Sequence, residues 1–216
     1  MDVTLVPAKE RGAPAVLILE RQEENVRELL RLLDDLKASA SLAIIGGFCP
    51  ERDLTPWPAP AAWKGTPDFS GGADAFLERI EKEALPEIRG RLGYEPSWHG
   101  IAGYSLAGLF AAYALYKTDT FSRAASVSGS LWYDGFADFA LGPPFAGKPE
   151  RVYLSLGSKE SRAGDKRMAR VKEKTQTFFC HCEKIGIRAA FETNPGNHFQ
   201  DPAGRLAKGI RWLVDG

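Results

Sequence analysis

The sequence predicts an α/β protein with a mostly parallel sheet covered by helices on both faces. Short apolar runs rich in β-branched residues alternate along the chain with segments whose apolar residues recur at three-and-four spacing. With 216 residues, 44% of them hydrophobic, the chain can bury one good core, and a single domain over residues 1–216 is expected. No internal repeat or low-complexity tract interrupts it.

Taken in order, strands are expected at 16–20 (VLILE), 41–46 (LAII at its centre), 99–103, 124–127, 151–156 (VYLSL within it) and 188–192. Between them, Val26, Leu29, Leu30 and Leu33 share one helix face, as do Ala73, Phe76, Leu77, Ile80 and Ala84. Met168, Val171, Thr175, Phe178, Cys182 and Ile185 form a third stripe, and Leu206, Ile210 and Leu213 a last one. Residues 48–72 hold five prolines, three glycines and the rings of Phe48, Trp57, Trp63 and Phe69. That composition is too irregular for a helix or strand and too aromatic for a disordered linker, so it predicts a loop that walls a pocket.

Composition narrows the partner. Lysine plus arginine and aspartate plus glutamate both number 28, which leaves no charge excess for nucleic acid or an anionic membrane surface. A small molecule is the expected ligand. No apolar run has the length of a membrane span, and MDVTLVPAKE lacks a signal-peptide layout, so a cytoplasmic location is expected. Three cysteines, Cys49, Cys180 and Cys182, fit a reducing compartment.

The stretch GYSLAGL, residues 103–109, lies between a strand and an apolar helix whose inner face carries Leu106, Leu109, Phe110 and Tyr113. A serine on a sharp strand-to-helix turn exposes its hydroxyl at the carboxyl end of a parallel sheet, where ligands bind. Ser105 is therefore the expected nucleophile, with the Leu106 backbone N–H facing an oxyanion. Ala107 replaces the second glycine of G-x-S-x-G; alanine fits if its φ is negative, and Gly108 offers space beside it. A serine needs a base. His99 should lie at the far end of its strand and His181 on a helix, whereas His198, in the NPGNHFQD loop before the last helix, follows the chain order serine, acid, histidine. After the strand RVYLSLG, Glu160 is the expected acid, with Asp165 as the alternative; Asp201 is expected to cap the last helix. Cys180-His181-Cys182 points around a helix rather than at one ion, so no metal and no cofactor are expected.

These residues resemble the putative-esterase branch of the α/β-hydrolases, the group of the enterochelin esterases and esterase D-type enzymes. The similarity runs in order through DLTP (53–56), GGADAFL (71–77), GYSLAGL, SGSLWYD (128–134), LSLGSKE and NPGNHF, and covers roughly residues 41–216. It implies a minimal α/β-hydrolase fold without a lid and a Ser-His hydrolase of small-molecule esters, with Ser105 and His198 at the matching positions. Family members tend to carry Asp-Gly after the first of these strands, where a backbone N–H completes the oxyanion hole. This chain has Glu20-Arg21-Gln22 there, which makes Arg21 the positional choice for the second donor. Pro50 stands where the family often has arginine, so recognition of a catecholate-type anion is not carried over. Phe48, Trp57, Trp63, Trp132 and Tyr104 are expected around the substrate. Acyl transfer to an alcohol, or ligand binding without catalysis, would use the same residues.

Overall fold

The computed structural model describes residues 1–62 and 65–215. Its first half contains β1 (Asp2–Val6), β2 (Ala15–Leu19), α1 (Glu23–Leu32), β3 (Ser41–Gly46), α2 (Pro50–Asp53), β4 (Pro58–Ala59), β5 (Phe69–Ser70), α3 (Ala73–Arg79) and α4 (Leu85–Leu92). The second half adds β6 (His99–Tyr104), α5 (Leu106–Lys117), β7 (Phe121–Val127), α6 (Phe136–Ala140), β8 (Arg151–Gly157), α7 (Val171–Lys184), β9 (Arg188–Asn194) and α8 (Pro202–Val214). A π-helical turn, Ile80–Ala84, joins α3 to α4.

Strand pairing gives the order β1-β3-β2-β6-β7-β8-β9, parallel throughout except for β1. The strand β1 was not expected from the sequence. Its five residues are only partly buried and pair antiparallel with β3 at the sheet edge, so the continuous apolar run that marks the inner strands is missing. The chain builds outward from β2 to β3, then returns to place β6 on the other side of β2. This reversal opens a crevice beyond the carboxyl ends of β2 and β6.

Side-chain alternation decides how each sheet face is covered. Leu17 and Leu19 of β2 enter the larger core with Ile101, Phe76, Leu109, Phe110 and Phe178, whereas Val16 and Ile18 point to the opposite layer with Leu29, Leu33, Leu206, Ile210 and Leu213. Hence α1 and α8 cover one face, and α5, with α3, α4 and α7, covers the other. The helix α5 is apolar all round and buried along nearly its whole length, as a helix between a sheet and a second helical layer must be. Within 48–72, expected as an irregular loop, the described residues include α2 and the β4–β5 pair. No described helix is long and apolar enough to cross a membrane.

Candidate active site

Ser105 sits where β6 turns into α5, with φ 59° and ψ −121°. Backbone bonds hold this left-handed conformation in place: the Ser105 N–H donates to the Val127 carbonyl at 3.1 Å, and its carbonyl accepts from Ser130 N and Leu109 N, both at 3.0 Å. A Cβ on Gly103 would lie 2.5 Å from the Ala107 backbone and methyl, so the glycine before the serine is what accommodates the alanine after it. Gly103→Ala is expected to lower stability by about 3 kcal/mol, seen as a lower urea midpoint at unchanged slope. Gly108 faces Gly129 closely enough that a Cβ would come within 2.9 Å of its Cα. The elbow thus tolerates Ala107 through glycines on either side of the contact.

The chain then brings two distant groups to the serine hydroxyl. His198 Nε2 is 3.0 Å from Ser105 Oγ, and His198 Nδ1 is 2.9 Å from Glu160 Oε2. In the tautomer with a proton on Nδ1, that N–H donates to Glu160 and leaves Nε2 to accept from the serine. Gly157, the last residue of β8, allows this approach: a Cβ there would meet the Gly196 carbonyl of the histidine loop at 2.6 Å.

Glu160 is buried, with its side chain 4% exposed. Burial pushes its carboxyl pKa up, but bonds from His198, the Gly157 N–H and Ser128 Oγ outweigh it and hold the group below the usual carboxylate range. Asp165, the alternative acid, instead accepts from the Arg167 and Met168 N–H groups at 2.8 and 3.1 Å and lines the cavity wall. Asp201 caps α8, accepting from Gly204 N. His99 begins β6 at the opposite end from the elbow, and His181 lies on α7. No metal-ligating cluster occurs among the described residues. Cys182 is buried in the core, and burial pushes its thiol up to about 12.

Behind the histidine lies a group the sequence reading missed. Arg205, on α8, is 2% exposed. Its Nη2 donates to the Pro195 carbonyl at 2.6 Å, and its Nη1 lies 3.2 Å from Tyr104 Oη, 3.3 Å from Ser128 Oγ and 3.4 Å from Glu160 Oε1. Ser128 in turn donates to Glu160 Oε1 at 2.8 Å. Tyr104, expected as a pocket residue, does line a cavity, but its hydroxyl donates to the His198 carbonyl at 2.6 Å. Ser130 Oγ lies 3.4 Å from Ser105 Oγ and is also a residue the sequence reading left out. Ser128 and Ser130 fall in SGSLWYD, so position in that segment was the available signal.

Two cavities meet at the serine and histidine. One, of about 430 Å³, is mostly apolar, with Ala62, Trp132, Met168, Val171 and Phe199 among its walls. The other, of about 530 Å³, is lined by Glu20, Arg21, Gln22, Phe48, Glu51 and Tyr104 beside Leu106. Of the aromatic residues expected there, Trp132 lines the first cavity and Phe48 the second, but Trp57 lines neither. Its indole donates to the Asp134 carbonyl at 2.7 Å and packs against Tyr113, Tyr133 and Phe139, so that it is partly buried against the core. Trp63 lies outside the described residues.

On the oxyanion side, Leu106 is the first residue of α5, so its N–H has no carbonyl one turn back to bond. The Arg21 N–H, expected as the second donor, lines the same cavity but donates at 2.8 Å to the carboxylate of Glu20.

Comparison with known proteins fits this geometry. The family model described as "Putative esterase" matches residues 31–182. The chain belongs to the putative esterase family. It is an esterase on the α/β-hydrolase fold. The esterase is 31% identical over 215 residues to the uncharacterized protein YbbA of Bacillus subtilis, covering 94% of this chain and 86% of that one. Among solved structures, it is similar to an IroE-like serine hydrolase from Shewanella oneidensis, with a TM-score of 0.81 and 22% identity, over 99% of this chain and 75% of the other. It is also similar to the siderophore hydrolase EstA of Aspergillus nidulans, with a TM-score of 0.71 and 20% identity, over 96% and 84% of the two chains.

Proposed function

We propose that this esterase cleaves small-molecule carboxylic esters through an acyl-enzyme on Ser105. The observation that carries the reading is the continuous chain of contacts from Ser105 Oγ to His198 Nε2 and from His198 Nδ1 to Glu160 Oε2, at 3.0 and 2.9 Å. His198 takes the hydroxyl proton as Ser105 attacks the ester carbonyl, then passes it to the departing alcohol. Glu160 orients the imidazole and stabilises its cationic form. The Leu106 N–H stabilises the oxyanion, and water activated by the same histidine releases the acid from Ser105. A contact of 3.0 Å between nucleophile and base supports this reading over that of a binding protein on a hydrolase fold. The free cysteines support a cytoplasmic setting.

An uncharged fluorophosphonate should attach covalently to Ser105, seen as a mass shift on the peptide that contains it; an unlabelled Ser105 would sink the proposal. Phe199 supplies a further test. It is 79% exposed, stands edge-on to the His198 ring at 5.3 Å and lines both cavities. A bound ester with an aromatic or alkyl group would cover part of that ring, so Phe199→Ala is expected to raise KM about tenfold for a naphthyl ester, the equivalent of ~1.4 kcal/mol. With small acetate esters, kcat should stay within about twofold, because the ring holds neither of the hydrogen bonds that orient His198.

A further inference from the structure

Pairing of β2 with β6 sets Leu19 opposite Gly103, so the chain leaving β2 runs level with Tyr104 and Ser105. The backbone N–H groups of Arg21 and Gln22 both donate to one oxygen, Glu20 Oε1, at 2.8 and 2.9 Å. Asn25 Nδ2 holds the other carboxylate oxygen at 3.1 Å. Two backbone N–H groups converging on one anionic oxygen are what an oxyanion hole offers a tetrahedral intermediate. Here both N–H groups are taken by a side chain of the protein itself, and Glu20, Arg21 and Gln22 line the cavity that holds Ser105, Leu106 and His198.

An oxyanion and the Glu20 carboxylate cannot share these donors. Each would accept the same hydrogens, and two negative charges a few ångströms apart repel more strongly in a cavity than in water. The carboxylate is partly exposed at a strand end, so turning it outward requires no repacking of the core. The cavity also contains Glu51, giving two carboxylates against the guanidinium of Arg21. A positive group on a bound ester would meet both acids and give Glu20 a partner away from the N–H pair.

We propose that Glu20 gates the oxyanion hole: its carboxylate holds the Arg21 and Gln22 N–H groups in the resting enzyme, and an ester with a cationic group in this cavity draws it off. The gate rests on the serine-esterase reading above. Its test is the second-order rate at which an uncharged fluorophosphonate labels Ser105, since phosphonylation also places an oxygen in the hole. Glu20→Ala should label about tenfold faster than wild type, short of the hundredfold or more that a full oxyanion donor contributes. Glu20→Gln should rise less, because a neutral amide oxygen still accepts, more weakly, from the same N–H groups. Unchanged or slower labelling in both variants overturns the gate; if Glu20→Ala does not fold, Glu20→Gln decides alone.

The substrate class is read from matched 4-nitrophenyl and naphthyl esters with a trimethylammonium or a carboxylate at the same position. Wild type should favour the cationic ester in kcat/KM by about tenfold, roughly the 1.4 kcal/mol of one partly solvated charge contact. The preference should shrink towards unity in Glu20→Gln. A preference for the anionic ester, or a ratio that the substitution leaves alone, overturns the cationic class. Failure of wild type to label at Ser105 would instead remove the serine-esterase reading, so the two failures are distinct.

Discussion

Glu160→Gln is expected to lower kcat about ten-thousandfold in a chain that still folds, though less stably, because Arg205 loses its buried carboxylate partner. Glutamine nearly matches glutamate in shape, so the loss is one of proton placement. With the carboxylate present, His198 Nδ1 must donate across 2.9 Å, and Nε2 is left to accept from Ser105. An amide NH2 in the same place would donate to Nδ1 and move the ring proton to Nε2, where it faces the serine hydroxyl instead of receiving its proton. Glu160→Asp should recover only part of the rate, because the shorter side chain cannot reach His198 while still accepting from the Gly157 N–H and Ser128. Single-turnover hydrolysis of 4-nitrophenyl acetate measures the effect. A Glu160→Gln enzyme within tenfold of wild type would leave the carboxylate without a role in orienting the base.

The same residue sets an acid dependence of stability. Burial raises the Glu160 pKa, but its hydrogen bonds lower it further, so the folded value lies below the unfolded one. A group with a depressed folded pKa contributes stability that is fully present above its unfolded pKa, about 4.3, and is lost as pH falls through the folded value. Urea midpoints measured from pH 7 down to pH 3 should therefore drop for wild type more steeply than for Glu160→Gln, which has no proton to bind there.

The elbow could be read because its demands are local: a small residue, the serine and a helix-forming run must be adjacent in the chain. His198 could be read because a histidine in a Pro/Gly/Asn loop after the last strand has few places to go once the sheet is parallel. The support behind them could not. Arg205 lies next to Leu206 on the last helix, and an arginine beside an apolar stripe reads as a solvated residue snorkelling outward. Only the packing of α8 across β6, β7 and β8 turns it inward to the carboxylate. Trp57 misled for the opposite reason: an aromatic in an irregular loop suggests a pocket wall, but this one is bonded to the Asp134 carbonyl and packed against the core. At Arg21, sequence establishes that an N–H exists, whereas only the structure reveals that the preceding side chain holds it.

Arg205→Met should cost about 3–5 kcal/mol of stability and lower the melting temperature by roughly 10 °C. Methionine fills similar space, so the expected loss comes from the groups left behind. The Pro195 carbonyl loses a 2.6 Å donor, and Glu160 keeps its charge in a buried site without the only guanidinium that faces it among the described residues. Replacing a buried ion pair entirely by apolar groups can be neutral, but removing one partner is not. Arg205→Lys should restore part of the loss, since a single ammonium can retain the charge but cannot bridge Pro195 and Glu160 as a planar fork does. The decisive measurement is a double-mutant cycle. If Arg205 acts by balancing the Glu160 charge, Arg205→Met should cost at least about 1 kcal/mol less in a Glu160→Gln background than in wild type. Additive losses would assign its contribution to the Pro195 carbonyl and the Tyr104 hydroxyl, and so to holding the histidine loop rather than the acid.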